Sequence, residues 1–199
     1  VIALSDLNSE VLRSQTEKWN IPNTFTDYKQ MIAMPEIEAI DVAVPAEYHK
    51  AVVLDCLAGG KHVLCQKPLS DNFSDAVEMV NAAEKAGLIL AVNQNTRWIP
   101  TYRKCASLIR DGAIGKPLMT IFEDHYWTDD HPYELERERF LLLKNTIHKI
   151  ETIRMWFDGE PDTVYAQLVK AGSHPAKGES IASISLTYEN GHAVTLIDD

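Results

Sequence analysis

The sequence predicts a two-part α/β protein, with a parallel α/β domain followed by an α+β domain that has an open, mostly antiparallel sheet. In the first half, apolar strands of four to six residues alternate with segments of helical periodicity, which is the pattern of βαβ units with right-handed crossovers. In the second half, strand-like runs follow one another with short turns, which favours an antiparallel sheet.

Short apolar runs bounded by turn residues predict the strands of the first half, at residues 1–4, 39–44, 62–65 and 88–92. Apolar residues at helical spacing predict the helices between them, at residues 9–19, 48–57 and 75–85. Glycines follow the second and third of these helices, where helices commonly end. The order of elements therefore alternates as a parallel sheet requires.

The second half opens with a helix predicted at about residues 101–110 and a strand at 118–126. A polar loop leads to a helix at 143–157, and strands follow at 163–169, 181–188 and 193–197. Glu189-Asn190-Gly191 is a strong hairpin signal between the last two strands. We expect two domains, residues 1–95 and 96–199, with their boundary near residues 93–97.

Composition and charge exclude several classes of function. The formal net charge of −10 argues against nucleic-acid binding, which needs a basic face. No run of about 18 apolar residues is present, so we expect no membrane span. The three cysteines (Cys56, Cys65 and Cys105) lack the CxxC spacing of a zinc site. We therefore expect no metal, and reduced thiols in a cytoplasmic protein.

The segment His-Val-Leu-Cys-Gln-Lys-Pro at residues 62–68 ends an apolar strand in Gln66, Lys67 and Pro68. Open α/β sheets bind ligands at the carboxyl ends of their strands, and proline cannot continue a strand ladder. The segment therefore predicts that Lys67 holds its ammonium group at a ligand-binding edge. An ordinary surface lysine after a strand is the alternative.

Two other strand ends carry candidate binding residues. Asp6 follows the first predicted strand, where an acid either bonds the ribose hydroxyls of a dinucleotide or caps the next helix. No GxGxxG turn occurs in the sequence. Val44, Pro45 and His49 open the next helix, whose N-terminus attracts anions, although an ordinary strand–helix loop has the same pattern.

The helix predicted at residues 143–157 carries the most informative titratable side chains. Its apolar residues form one stripe, and Lys144, His148 and Glu151 fall together on a second flank. A histidine beside a lysine resists protonation, and a neutral imidazole can act as a general base. A solvated charged flank has the same spacing.

The aromatic and charged stretch at residues 125–131 contains Trp127, and Arg137 and Arg139 follow it. Such a stretch could line a pocket for a polar substrate. It could also form a dimer surface, because Tyr, Trp and Arg are enriched at interfaces. Its two histidines and two aspartates do not follow a metal-ligand pattern.

Taken in order, these segments resemble the Gfo/Idh/MocA family, which includes glucose–fructose oxidoreductase and inositol dehydrogenase. The matching segments are Ser5-Asp6, Val44-Pro45 with His49, residues 58–69, Arg97 with Pro100, residues 112–117, Ile147-His148, Trp156 and Gly159-Glu160-Pro161. The resemblance implies a Rossmann-type parallel sheet that binds NAD(P), truncated before Val1, and then the open-sheet domain. It also implies that the chain is an internal fragment and that the full-length protein is a homodimer or homotetramer.

The resemblance also implies residue roles. Lys67 and His148 match the lysine and the proton-accepting histidine of the family, and Asp6 then becomes a ribose ligand that favours NAD over NADP. The expected cofactor-binding residues are Asp6, Val44, Pro45, His49, Gln66, Lys67, Gln94 and Asn95. The expected substrate residues are Arg97, Trp127, Lys144 and His148, and the catalytic ones are Lys67, His148 and Lys144.

Two positions depart from the family pattern. Gln66 stands where glutamate is usual, and Lys144 stands where many members have aspartate, a change that could suit an acidic substrate such as a uronate. The function that the resemblance implies is hydride transfer between a sugar, polyol or related hydroxylated small molecule and NAD. The alternatives are a non-catalytic NAD-binding regulator of a sugar pathway and a member that cleaves glycosides through transient use of NAD.

Overall fold

The computed structural model describes residues 1–125, 131–157 and 159–199. The chain divides into two units, Val1–Asn93 and Gln94–Asp199. Over the described ranges, no helix has both the length and the apolar character that a membrane crossing requires.

The first unit is a parallel α/β arrangement. Its strands are β1 (Ala3–Ser5), β2 (Asn23–Phe25), β3 (Ala39–Val42), β4 (His62–Gln66) and β5 (Leu90–Asn93). Strand β1 pairs with β2, strands β3, β4 and β5 form a second sheet in that order, and every pairing is parallel. The helices are α1 (Ser9–Trp19), α2 (Tyr28–Ile32), α3 (Ala46–Ala58) and α4 (Phe73–Ala86).

The sequence pattern does not predict β2 and α2. They have three and five residues, which is too few to show a period. The other helices and strands of the first unit lie where the apolar pattern predicts them, with ends shifted by a few residues.

The core of the first unit fixes the position of β4. Apolar side chains from β4, α3 and α4 meet there and are at most 2% exposed: Val53, Cys56, Val63, Cys65 and Met79. Because successive strand residues face opposite sides, burying Val63 and Cys65 sets the register of the whole strand. The chain therefore leaves the sheet at a defined point, directly before Lys67.

The second unit is built on a four-stranded sheet. Its strands are β6 (Met119–Asp124), β7 (Thr163–Val169), β8 (Ile181–Thr187) and β9 (Ala193–Asp198), in the order β6-β9-β8-β7. Strands β6 and β9 are parallel, and the other two pairings are antiparallel. The predicted hairpin turn joins β8 to β9, with Gly191 at a φ of 82°. The predicted fold class, a parallel sheet followed by an open and mostly antiparallel sheet, is confirmed.

The second unit also contains helical segments. They are a 3-10 helix (Asn95–Trp98), α5 (Pro100–Arg110), α6 (Pro132–Leu135) and α7 (Ile147–Trp156). Helix α7 packs on the sheet through Ile153, which meets Ile184 and Leu196. A π-helical turn, Leu142–Thr146, precedes α7. Because a π turn shifts the side chains that follow it, the regular spacing used for Lys144, His148 and Glu151 does not hold across this segment.

Candidate functional site

Gln66 joins three parallel strands at their carboxyl ends. Its Nε2 donates to Asp41 Oδ1 on β3 at 3.1 Å, and its Oε1 accepts from Asn93 Nδ2 on β5 at 3.0 Å. A glutamate here would lack the donor and would face Asp41 with a second negative charge. The amide therefore suits its neighbours, which gives a physical reason for this departure from the family pattern.

Lys67 follows β4 directly and is half-buried, and the Lys67–Pro68 peptide is cis. The imidazole of His49 holds this turn against the turn after β3. Its Nδ1 lies 2.9 Å from the carbonyl oxygen of Pro68, and its Nε2 lies 2.8 Å from that of Val44. His49 is only 1% exposed, so its predicted part in cofactor binding would be exerted through the two turns that it joins.

The predicted cofactor residues Val44 and Pro45 lie in the turn after β3. Val44 is 38% exposed, and Pro45 precedes the first turn of α3 without a side-chain cap. The first backbone N–H groups of a helix have no partner inside the helix. These N–H groups therefore lie at the carboxyl edge of the sheet, close to the turn that contains Lys67 and Pro68.

Asp6 lies just after β1 and does not cap the next helix. The N-cap of α1 is Asn8, whose Oδ1 accepts from the backbone N–H groups of Glu10 and Val11. Asp6 Oδ1 instead accepts from the N–H of Asn8 at 2.7 Å. The capping alternative for Asp6 is therefore wrong, and its role as a ribose ligand stays a prediction.

The 3-10 helix carries the other predicted binding residues, with Gln94 directly before it and Asn95 at its start. The side-chain oxygen of Gln94 is buried and accepts no hydrogen bond within the described part of the chain. A buried acceptor without a donor is costly, so this oxygen is a candidate for contact with a ligand N–H. Arg97 is engaged otherwise, because its Nε donates to Glu151 Oε1 at 2.6 Å.

His148 lies in the first turn of α7, facing the same 3-10 helix. Its Nδ1 is 3.5 Å from the hydroxyl of Thr96. The Thr152 hydroxyl donates to the backbone carbonyl of His148 at 2.8 Å and so ties the start of α7 to its next turn. The carboxylate of Glu151 forms ion pairs with Arg97 and Arg154. The Thr96 hydroxyl is placed to orient the imidazole of His148.

A cavity of about 160 Å³ opens beside this histidine within the second unit. Its wall combines an imidazole, an amide, hydroxyls, a carboxylate and an ammonium group with two aromatic side chains. The lining residues are Thr96, Tyr102, Phe122, Asp124, Asn145, His148, Lys149 and Thr152. A polar cavity with an imidazole in its wall can hold a hydroxylated small molecule and accept a proton from it.

Lys149 brings two carboxylates together at one side of the cavity. Its Nζ lies 2.8 Å from Asp124 Oδ2 and 3.2 Å from Asp198 Oδ1. The Thr146 hydroxyl donates to the other oxygen of Asp198 at 2.6 Å. The Lys149 side chain is 7% exposed and that of Asp198 is fully buried. Buried charges of this kind are paired and hydrogen-bonded, as the high cost of burying a lone charge requires.

Lys144, a predicted catalytic and substrate residue, lies in the π turn. Its Nζ is 3.2 Å from Glu134 Oε2, and the two side chains are only 15% and 12% exposed. This ion pair neutralises the charge that Lys144 brings to a position where the family commonly has aspartate. Trp127, the remaining predicted substrate residue, lies outside the described residues.

Another histidine, His125, lies just after β6 and is flanked by carboxylates. His125 lies between Glu123 and Asp199, with ring nitrogens 2.9 Å and 2.6 Å from their carboxylates. Hydrogen bonds to these two carboxylates raise the pKa of His125 to about 9. Among the described residues, no group of three or more His, Cys, Asp or Glu side chains is placed to hold a metal ion.

Sequence reasoning missed Thr96 and the buried cluster around Lys149. One signal was present, because strand alternation places Asp198 on the same side of β9 as Val194 and Leu196, which are buried. An acid at a core-facing strand position implies a buried partner. That partner lies about fifty residues away in the sequence, so no local pattern names it.

Comparison with known proteins gives these observations a family context. Residues 1–94 match the oxidoreductase family with an NAD-binding Rossmann fold, and residues 102–197 match the Gfo/Idh/MocA C-terminal domain. The chain is 32% identical to the D-apiose dehydrogenase of Paraburkholderia graminis over 96% of this chain and 51% of that protein. It is 29% identical to the myo-inositol 2-dehydrogenase of Thermotoga maritima over 99% of this chain and 60% of that protein.

A solved structure supports the same family assignment. An oxidoreductase from Agrobacterium radiobacter, in complex with NAD+, L-tartaric acid and magnesium, superposes with a TM-score of 0.93 at 28% identity. That match covers 99% of this chain and 58% of the other. The chain thus spans between half and three-fifths of the length of these relatives. Both parts of its sequence and its overall fold assign the chain to the Gfo/Idh/MocA oxidoreductase family.

Proposed function

We propose that the protein is an NAD-dependent oxidoreductase that oxidises a hydroxyl group of a sugar, polyol or related small molecule to a carbonyl. The observation that carries the proposal is His148, which lines a polar cavity with one ring nitrogen turned toward a hydroxyl. The curated relatives include dehydrogenases of apiose and of myo-inositol.

His148 acts as the proton acceptor. When a neutral imidazole carries its proton on Nδ1, which lies 3.5 Å from the Thr96 hydroxyl, Nε2 is the nitrogen that takes the proton of a substrate hydroxyl. The separation of 3.5 Å is long for a hydrogen bond, as is common for catalytic contacts before substrate binds. The proton leaves the hydroxyl oxygen while a hydride leaves the adjacent carbon, so the alcohol becomes a carbonyl.

Lys67 stabilises the negative charge that develops on the substrate oxygen, because an ammonium group interacts more strongly with an alkoxide than with a neutral hydroxyl. NAD, when bound, supplies the acceptor for the hydride. We assign to cofactor binding the residues at the strand ends of the first unit and those at the start of the second. They are Asp6, Val44, Pro45, Gln66, Lys67, Gln94 and Asn95. The orphan oxygen of Gln94 fits this role, because a ligand N–H would satisfy it.

The test is steady-state reduction of NAD+ by the full-length protein and by two variants. Lys67→Ala and His148→Ala should each lower kcat/KM by about 100-fold or more, the usual effect of losing an electrostatic stabiliser or a general base. Lys85→Ala, which removes an exposed lysine of α4, is the matched control and should leave kcat/KM unchanged. Unchanged turnover in both site variants would show that the assignment is wrong.

The same experiment separates the alternatives. NAD binding without turnover on any sugar, polyol or sugar acid would favour a non-catalytic regulator. Product formed without accumulation of NADH would favour glycoside cleavage with transient oxidation.

We also propose that the full-length protein forms a homodimer or homotetramer through the open face of the β6–β9 sheet. Large apolar side chains are exposed on this face, with Met119 and Ile121 at 61% and Tyr165 at 71%. Sheet register aligns Ile121 and Tyr165 in one row across the strands. Ile121→Asp should therefore dissociate the oligomer in sedimentation velocity, and a monomeric wild-type protein would contradict the proposal.

Cytoplasmic location is the remaining proposal. All three cysteines are free thiols, and Cys56 and Cys65 are buried. Free thiols are typical of reducing compartments. Cell fractionation with the full-length protein tests this location.

A further inference from the structure

We propose that the cavity beside His148 selects neutral hydroxylated substrates over sugar acids, and that Asp124 is the residue that sets this preference. The inference rests on the proposed oxidation of a hydroxylated small molecule and narrows its substrate class. It depends on charges that lie entirely within the second unit.

The charge beside the cavity is negative. One ammonium group, that of Lys149, stands between the carboxylates of Asp124 and Asp198 at 2.8 and 3.2 Å. Counted over the described residues, this cluster has one positive and two negative groups and a net charge of −1. Asp198 is fully buried, whereas the Asp124 side chain is 42% exposed and lines the cavity. Lys149 also lines the cavity, but its side chain is only 7% exposed, so the most accessible charge of this cluster is the carboxylate of Asp124.

Two cations of the second unit that could attract an acid are paired with carboxylates. Lys144 forms an ion pair with Glu134, and the two side chains are only 15% and 12% exposed. Arg97 pairs with Glu151, whose side chain is 13% exposed. The presence of Lys144 in the sequence suggests an acidic substrate, but its ion pair removes the basis for that expectation.

The remaining wall suits a polyhydroxylated carbon skeleton. A carboxylate accepts hydrogen bonds from two neighbouring hydroxyls, and an amide such as Asn145 can both donate and accept. Tyr102 and Phe122 give the cavity an aromatic side, against which the C–H face of a sugar or polyol can pack. A substrate carboxylate in the same place would face the carboxylate of Asp124, a group of like charge.

The experiment compares matched neutral and acidic substrates with the full-length protein and NAD+. The pairs are threitol with L-tartrate, glucose with glucuronate, and galactose with galacturonate. L-Tartrate is included because it is bound in the Agrobacterium radiobacter structure. We expect kcat/KM for the neutral member to exceed that for the acid by about 10-fold or more. The reason is that the substrate carboxylate and Asp124 repel each other at contact distance even when solvent screens their charges.

Asp124→Asn removes the charge and keeps the shape. It should reduce this preference by about 10-fold, mainly through a lower KM for the acids. Asp162→Asn makes the same change at an exposed position outside the cavity wall and should leave the ratio unchanged. If the acids are preferred, or if the ratio is the same in Asp124→Asn and wild type, the inference is wrong while the oxidoreductase assignment stands. NAD+ reduction by none of the substrates overturns the oxidoreductase assignment itself.

Discussion

Removing the ammonium of Lys149 should destabilise the second unit more than removing any exposed lysine. Lys149→Met keeps an unbranched side chain that is one heavy atom shorter, and it leaves the fully buried carboxylate of Asp198 with the Thr146 hydroxyl as its remaining described partner. At 3.2 Å and an effective dielectric constant of about 20, the lost attraction is about 5 kcal/mol. The measured loss should be about 3–5 kcal/mol, the usual result of leaving one charge of a buried pair uncompensated.

The matched control is Lys177→Met. Its partner is Glu138 at 3.3 Å, but the two side chains are 58% and 83% exposed, so the expected loss is about 0–1 kcal/mol. Urea unfolding of the full-length protein, followed by tryptophan fluorescence, measures both changes. Trp156 reports on the second unit, because its indole N–H donates to the carbonyl of Tyr102.

A double variant separates charge from shape. In Lys149→Met with Asp198→Leu, the buried acid is gone together with its partner, so most of the lost stability should return. The coupling energy of the cycle should be about 2 kcal/mol or more. Equal losses in Lys149→Met and Lys177→Met would refute the reasoning, because burial would then make no difference to the pair.

Two further predictions concern titrating groups. Burial raises the pKa of Cys56 and of Cys65 to about 12, so iodoacetamide at pH 8 should label only Cys105 of the three in the folded protein, as read by peptide mass spectrometry, and all three after denaturation. Because neighbouring carboxylates raise the pKa of His125 from 6.5 to about 9, its stabilising contribution should be complete below pH 6.5 and lost as the pH rises through 9. The difference in unfolding free energy between wild type and His125→Gln should therefore shrink from pH 6 to pH 9.5, and a constant difference would contradict this.

The sequence predicts the features that depend on local patterns. The period-two and helical spacings locate the main strands and helices, and a polar residue after a buried strand locates Gln66 and Lys67 at a sheet edge. Asp6 shows the limit of this reasoning. Its position fits a helix cap, but Asn8, two residues later, makes those hydrogen bonds.

The features that could not be predicted depend on pairs distant in sequence or on irregular backbone. The π turn at Leu142–Thr146 has no composition signal, and it invalidates the spacing argument for Lys144. The partners of Lys144 and Lys149 come from other elements, so their net effect on the cavity emerges only when the chain is folded. A sequence shows which charges are present, and the fold decides which of them remain uncompensated.

The bridge made by Gln66 constrains how this sequence can change. Its amide donates to Asp41 and accepts from Asn93, so residues 41 and 66 form a coupled pair. Restoring glutamate at position 66 alone would set two carboxylates side by side, whereas the same substitution after Asp41→Asn would meet a donor. The order of the two mutations therefore matters, because the two carboxylates never face each other if Asp41 changes first.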